Sequence, residues 1–454
     1  MENYITEYME LPKRVYLPKD TEINEELILK LIKKHKDNIE RYTALQGYYE
    51  GKAKIFERTK DYYKSNNKLK LDYASYIVDI FLGMFLGNPV SYTVAEDYKD
   101  QMAMVQEIYD LNDEQDENTE LAKMASIKGR GYEIVYLDED GAICFNEVRP
   151  ENMIYVLDDS IRPEPLFAIY FVEKEVEGEK YTDVTVYSKD YITEYRQKGN
   201  DLTFIDDRPN SFKDVPVVEF LNNDEGIGDF ERVIPLIDAI NLAQSDTAND
   251  FEDFTNAILI LYGMVHADEE DVQKMMDDGV IVLDEVGGKQ GAQWLIKEIN
   301  DVATENYKNR LDRDIHKFAK VPNMSDENFA GNVSGESMKY KLFATDQVIA
   351  SKQRKFKSAL QRRNKLILSV LGITKGLNDF TYRDISIIFN DNKPYNELDN
   401  INTVKTALDA GLSKTYALGK LRDIDDIQEE IDRQAMERDP YQDAFNIEAY
   451  DEGQ

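Results

Sequence analysis

Three histidines, one cysteine and a surplus of carboxylates are the side chains here that could do chemistry. His35, His266 and His316 are scattered without metal-ligand spacing, and each is expected to be structural or exposed. Cys144 stands alone, so one chain forms neither a disulfide framework nor a cysteine-based zinc site. Acid pairs recur, as in Asp206-Asp207, Asp277-Asp278 and Asp425-Asp426. Among 89 Asp and Glu residues such pairs arise by chance, and none singles out a two-metal nuclease site. Asp138 and Asp140 begin a calcium-loop spacing that no correctly spaced Glu completes. The glycine loop at 331–335 lacks the Lys-Ser/Thr of a phosphate cradle, and no G-x-S-x-G occurs. The expectation is a protein with no catalysis, no cofactor and no metal.

Charge narrows the function classes. The 454 residues carry 55 Lys and Arg against the acids, a formal net charge of −34. Affinity for nucleic acid rests on cations that neutralise phosphates, so tight DNA binding is disfavoured, as is an anionic membrane surface. A basic partner, a passage along which DNA slides without sticking, and a plain solvated surface all remain compatible. With 42% hydrophobic residues the chain can build two or more cores. The N-terminus lacks a basic-then-apolar leader. The most apolar helix candidate, 73–86, is too short to span a bilayer and contains Asp79. A soluble protein made in a cytoplasm is expected.

The elements follow from pattern. Residues 1–21 read as irregular. Asn24 caps a helix over 25–49, ended by Gly47-Tyr48-Tyr49-Glu50-Gly51-Lys52. A second helix spans 72–86, with Tyr73, Ile77, Ile80 and Met84 on its apolar face, widened by Phe81 and Phe85. Acid-rich helices follow at 97–110 and 114–128. From 131 to 221 the period falls to two, predicting a mainly antiparallel β region with a hairpin around Asp138-Glu139-Asp140-Gly141.

After a breaker run at 222–226, a long acidic helix is expected to about Tyr262, with Leu236, Ile240, Ala243, Thr247, Phe254 and Ile258 as a thin stripe. It is either a surface helix of a monomer or a wall of an oligomer's channel. Next come a short helix at 267–277 and strands at 280–283 and 292–296, with Trp294, the sole tryptophan, assigned to core packing. A helix over 301–320 presents Tyr307, Leu311, Ile315 and Phe318.

The helix predicted over 336–371 inverts the sign of the chain. Lys339, Lys341, Lys352, Arg354, Lys355, Lys357, Arg362, Arg363 and Lys365 face only Glu336 and Asp346. Neutralising acidic neighbours is the first explanation and direct phosphate contact the second. A strand at 380–389, helices at 400–410, 415–421 and 425–437, and a loose acidic tail at 439–454 complete the chain.

One stretch carries more than periodicity. Asn328-Phe329-Ala330-Gly331-Asn332-Val333-Ser334-Gly335 runs into Met338-Lys339-Tyr340-Lys341. It resembles the F-x-G-N-x-S-G signature of tailed-phage portal proteins of the siphophage type, with Tyr48-Tyr49-Glu50-Gly51-Lys52 as weaker support. The resemblance implies an α+β, portal-like fold. A mixed helical and β wing would occupy 1–225, a first stem helix 226–262, a small α/β clip 263–300 and a second stem helix 301–322. A tunnel loop would span 323–335, the long helix behind it 336–371, and a helical crown 372–438.

It also implies a homo-oligomeric ring, a dodecamer in the family, at the portal vertex of a virion. Double-stranded DNA would be packaged and ejected through its channel without sequence specificity. The implied partners are the terminase large subunit, scaffolding and major capsid proteins, and the head–tail adaptor. By the same resemblance, Asn328, Phe329, Asn332 and Val333 would face DNA from the loop. Asp238, Asp246, Asp250 and Asp253 would line the channel. Val280, Val282, Trp294 and Ile296 would belong to the clip's partner face. The competing expectation is an acidic scaffold or adaptor-type assembly protein with no DNA channel.

Overall fold

The computed structural model describes residues 14–61, 64–255, 258–262, 280–283, 291–295, 301–324, 335–377, 379–390, 392, 397–419, 421, 430–431 and 433–435. Helices and sheets are mixed, and the chain divides into two compact units. The first comprises Met1–Asn323 and Phe343–Asn392, the second Met324–Leu342 and Lys393–Gln454.

In the first unit, α1 (Glu25–Tyr49) starts where expected, with the Asn24 side chain accepting from the Leu27 amide. A six-stranded sheet runs β1 (Val15–Leu17), β5 (Met153–Asp158), β6 (Pro165–Val176), β7 (Glu179–Ser188), β8 (Tyr191–Lys198) and β9 (Asp201–Pro209). The β5–β9 pairings are antiparallel as predicted. β1 adds a parallel edge in a stretch that the sequence reads as irregular. Ile28, Leu31 and Ile32 of α1 pack on Val156, Phe167, Ile169 and Val184 of this sheet. On its other face Tyr155, Leu157 and Ala168 meet a second, antiparallel sheet of β10 (Val217–Leu221), β3 (Arg130–Leu137) and β4 (Ile143–Val148). The β3–β4 turn is closed by Asp138, whose carboxylate accepts from the amides of Asp140 and Ala142.

Around these sheets lie α2 (Tyr73–Leu86), α3 (Lys99–Leu111) and α4 (Glu114–Lys128). The buried face of α2 is rotated from the predicted one: Ala74 and Val78 are buried, whereas Tyr73 and Ile80 are only half-buried. The 222–226 breaker run lies outside helix and strand, as read, and is held by its own side chains. Asn222 is buried, and its amide group donates to Ile227 O and Asp229 Oδ1. Gly228 passes so close to α4 that a Cβ on it would sit 2.2 Å from the Ile127 carbonyl.

Two corrections concern long helices. α5 covers Ile234–Thr255, not 226–262. Ile258–Tyr262 is instead β11, between β12 (Val280–Leu283, parallel) and β13 (Gly291–Leu295, antiparallel). A run of Ile, Leu and Tyr has no period to separate helix from strand, and pairing on both edges decides it. α6 (Asp301–Ala319) buries Leu311, Ile315 and Ala319, while Tyr307 and Phe318 are exposed. α7 (Gly335–Lys375) runs through Gly372 instead of stopping there, because a single interior glycine costs only about 1 kcal/mol.

After α7 the predicted strand at 380–389 shrinks to β14 (Ser386–Ile388), paired with β2 (Ser91–Thr93). Asp384 ties residues 381–384 into a turn by accepting from the Thr381 amide and hydroxyl. The second unit contains α8 (Glu397–Asp409) and α9 (Lys414–Leu418), the latter capped by Ser413. The expected helix at 267–277, most of 425–437 and the tail at 439–454 lie outside the described residues.

Candidate functional site

The elements that the resemblance points to are α5, the small sheet, α6 and α7. α5 and α6 run antiparallel. Lys308 Nζ lies 3.3 Å from Gln244 Oε1, and the α6 end, Phe318 to Lys320, lines one cleft of about 300 Å³ with Asp229 and Arg232 near the α5 start.

The inner seam of α5 is polar. Ile237 is followed at four-residue steps by Asn241, Ser245 and Asn249, all buried. These side chains hold an extended strap. Asn249 Oδ1 accepts from the Asn67 amide at 2.7 Å, Ser245 Oγ from Leu69 at 2.9 Å and Asn241 Oδ1 from Leu71 at 2.8 Å. Two extended residues advance about 6.8 Å and four helical residues about 6 Å, so alternate strap amides meet every fourth helix side chain.

Two of the expected channel carboxylates of α5, Asp238 and Asp246, have partners within the chain. Asp238 accepts from the Tyr48 hydroxyl at 2.9 and 3.0 Å, which gives the Tyr48-Tyr49 motif a structural task. Burial pushes the Asp238 carboxyl above its ordinary range, against the Tyr48 hydrogen bond, which draws it down. Asp246 pairs with Arg58 at 2.7 Å and Lys60 at 3.6 Å while its side chain stays 51% exposed. Asp250 is half-buried. Asp253 is on α5, but its side chain is outside the described residues, as are the side chains of Val280, Val282 and Trp294. Ile296 and the loop residues Asn328, Phe329, Asn332 and Val333 lie outside them altogether.

On α7 the basic residues from Lys352 onward are largely consumed by the chain's own carboxylates. Lys352 meets Asp229, Lys355 meets Asp224, Arg362 and Lys365 both meet Asp214, and Arg363 meets Glu133 and Glu114. Neutralisation of acidic neighbours is thus the observed use of these cations. Arg363 is fully buried between the rings of Phe145 and Phe220, with Nη1 donating to Asn118 at 2.8 Å. Burial opposes its charge, but the Glu133 and Glu114 carboxylates prevail and raise its pKa. Burial also lowers the Lys352 ammonium, against the pull of Asp229.

Sequence reasoning passed over two features. The polar seam of α5 read as dilution of an apolar stripe, although Asn, Ser and Asn at four-residue steps was its signal. Glu117 and Glu147 meet where α4 crosses β4, and the Glu147 amide donates to Glu117 Oε2 at 3.0 Å. Burial, then the neighbouring Glu147 carboxyl, pushes Glu117 up to about 8. The histidines are structural where described. His35 is buried with Nε2 2.9 Å from Pro150 O, and His316 sits between the Tyr73 and Tyr76 rings. Among the described residues no cluster of His, Cys, Asp and Glu could hold a metal ion, and no helix is long and apolar enough to cross a membrane.

Residues 28–443 match the family described as phage portal protein, SPP1 Gp6-like. The chain belongs to that family. The portal protein of Bacillus phage SPP1 is 25% identical over 443 residues, covering 91% of this chain and 86% of the relative. A solved chain described as "Neck of empty GTA particle computed with C6 symmetry" is similar over 77% of this chain and 89% of its own, at 14% identity and a TM-score of 0.40. As a portal-family member the chain is a structural component of a phage particle, not an enzyme.

Proposed function

We propose that this chain is the subunit of a ring-shaped channel at the portal vertex of a virion. Double-stranded DNA is packaged and ejected through the ring, which also docks the terminase large subunit and a head–tail adaptor. Scaffolding and major capsid proteins are its partners during assembly. The observation that carries the reading is the family match over 28–443. In the portal layout α5 and α6 are the stem helices, β11–β13 belong to the clip with Val280, Val282, Trp294 and Ile296, and α7 backs the tunnel loop. The loop carries Asn328, Phe329, Asn332 and Val333 toward the duplex.

The chemistry supports passage without retention. A chain with net charge −34 has few cations to hold phosphates, and on α7 Lys352, Lys355, Arg362, Arg363 and Lys365 already have carboxylate partners. Asp238, Asp246, Asp250 and Asp253 lie along one stem helix, and the chain's surplus of carboxylates keeps the field around the passage negative. The test is the native mass of the purified protein with negative-stain images of the same fraction. A discrete ring of about a dozen subunits with a central hole is expected, in keeping with closed cyclic assembly. A small closed dimer that buries α5 would sink the channel. For the loop, deleting 328–333 should leave assembly intact and impair packaging, and normal packaging by that variant would remove its role.

A further inference from the structure

Two sheet edges in this chain are capped by side chains, and a third is not. On β4, Asn112 Oδ1 accepts from the Phe145 amide at 2.9 Å and the Asn112 amide group donates to Ile143 O at 3.1 Å. Glu117 accepts from the Glu147 amide at 3.0 Å on the same strand. On β10, Arg362 Nε donates to Val217 O at 3.1 Å. Covering an edge in this way keeps other chains from pairing with it. β9 is the last strand of the six-stranded sheet, and among the described residues no side chain caps its outer edge.

β9 is open in its side chains as well as its backbone. Every residue from Asp201 to Pro209 except Leu202 is exposed, with Phe204 at 52% and Ile205 at 51%. Alternate residues of such a strand turn their N–H and C=O groups outward. Glu194 faces Asp206 while Tyr195 faces Phe204, so Ile205 is one residue too many and forms a bulge. The bulge leaves a regularly paired arm over 201–204. Ile205 itself borders a cleft of about 300 Å³ that Tyr170, Val172, Thr185 and Glu194 also line.

The charge along this edge is mostly negative. Asp201, Asp206 and Asp207 are exposed, and none has a cation partner among the described residues. Arg208, the one cation of the strand, reaches back to Glu194 at 3.7 Å. Glu194 and Asp206 stand directly opposite each other, a like-charge pair that weakens the ladder where it occurs. Within the cleft, Lys174 and Arg196 are both paired with Asp183. The edge therefore offers a ligand a row of amides and carbonyls, three carboxylates, and an apolar side chain at the mouth of a cleft.

We infer that the outer edge of β9 takes a short extended segment of another protein, rich in Lys and Arg, as an added strand. Main-chain hydrogen bonds to the 201–204 arm supply the affinity, and the cleft beside Ile205 receives one apolar side chain. The carboxylates select basic side chains. A helix has no free row of donors and acceptors to match a strand edge, and a nucleic acid meets the wrong charge. A second copy of β9 meets the wrong charge too, because edge against edge would set the carboxylates of both copies together. The inference needs one subunit and no channel, so it stands apart from the ring reading.

The test uses the full chain and a labelled probe peptide, Lys-Val-Lys-Phe-Lys-Val-Lys, beside the same peptide with both valines replaced by proline. Fluorescence polarisation reads binding, and hydrogen exchange reads its place. The first peptide should bind and protect amides within 201–205, with those of β4 unchanged. The proline peptide keeps the charge but cannot pair as a strand, and should bind about tenfold more weakly. Asp206→Asn/Asp207→Asn should weaken the first peptide by a similar factor of about ten, with the melting temperature unchanged. Equal binding of the two peptides would reduce the contact to charge and overturn the inference. No binding of the first peptide, or protection that appears elsewhere, would overturn it as well. Full binding by the Asn variant would overturn the selection for basic segments. Protection of 201–205 that rises with protein concentration in the absence of peptide would assign the edge to a second copy instead. A chain that forms no ring would leave all of these readouts standing.

Discussion

Arg363 shows how this chain uses charge at the scale of a residue. The guanidinium has no exposed surface, and the carboxylate of Glu133 below it has none either. A buried pair of this kind is weak evidence for net stability, because desolvation offsets most of the attraction. Breaking it is another matter. Arg363→Ala should cost about 3–5 kcal/mol by leaving Glu133 and Glu114 uncompensated, seen as a lower urea midpoint. Arg363→Lys should recover only part of the loss, since a single compact ammonium lacks the planar fork whose separate nitrogens reach Glu133 and Asn118. Equal midpoints for the wild type and the Lys variant would show that the fork geometry is unimportant.

Glu117 makes a prediction about pH. Its carboxyl is raised from an ordinary 4.5 to about 8 in the fold. Between those values the folded chain keeps a proton that the unfolded chain has released. Its stabilising contribution is therefore whole below about pH 4.5 and declines as pH rises through the window. Because the group is half-buried, solvent screening reduces the effect to the order of 1 kcal/mol. Glu117→Gln should flatten the fall in melting temperature over this range. An unchanged slope would assign the pH dependence elsewhere.

At the scale of elements, the strap along α5 is the clearest case of structure made by polar side chains. Asn241, Ser245 and Asn249 receive the amides of Leu71, Leu69 and Asn67 in turn. Each bond contributes about 1 kcal/mol net, yet together they hold a segment with no sheet or helix partner of its own. Asn241→Ala, Ser245→Ala and Asn249→Ala combined should abolish hydrogen-exchange protection at these three amides and leave the β3–β4 hairpin protected. Persistent protection would mean that the strap is held by its apolar contacts.

The same scale explains where pattern reading succeeds. Hairpins such as β3–β4 carry their turn chemistry in the sequence, and the bounds of α1 and α4 follow from Asn24 and Gly129 at their ends. The buried faces of α2 and α6 were less legible, since Ile80 and Tyr307 fit the period yet do not reach the core.

For the whole molecule, an excess of 34 negative charges should make DNA retention weak and nearly indifferent to salt, because few counterions are displaced from phosphates. Gel retardation at moderate ionic strength should show no stable complex with duplex DNA. A submicromolar complex with a steep salt slope would contradict the idea of a sliding passage. The absence of a catalytic constellation, the acidic balance and the signature over 328–341 were all legible from residue identity, and they led to the portal family.

What the sequence determined by itself is what short-range chemistry controls: caps, turns, alternation, charge, and one motif long enough to be specific. Tertiary structure decided the rest through partners far away in the chain. Ile258–Tyr262 became a strand because Val280–Leu283 and Gly291–Leu295 took both of its edges. The polar seam of α5 became an inner face because a strap some 170–182 residues earlier lies on it. The cations of α7 became internal ties because Glu133, Asp214 and Asp229 fold beneath them. In each case the local pattern allowed more than one outcome, and the free energy of long-range pairing and burial selected among them.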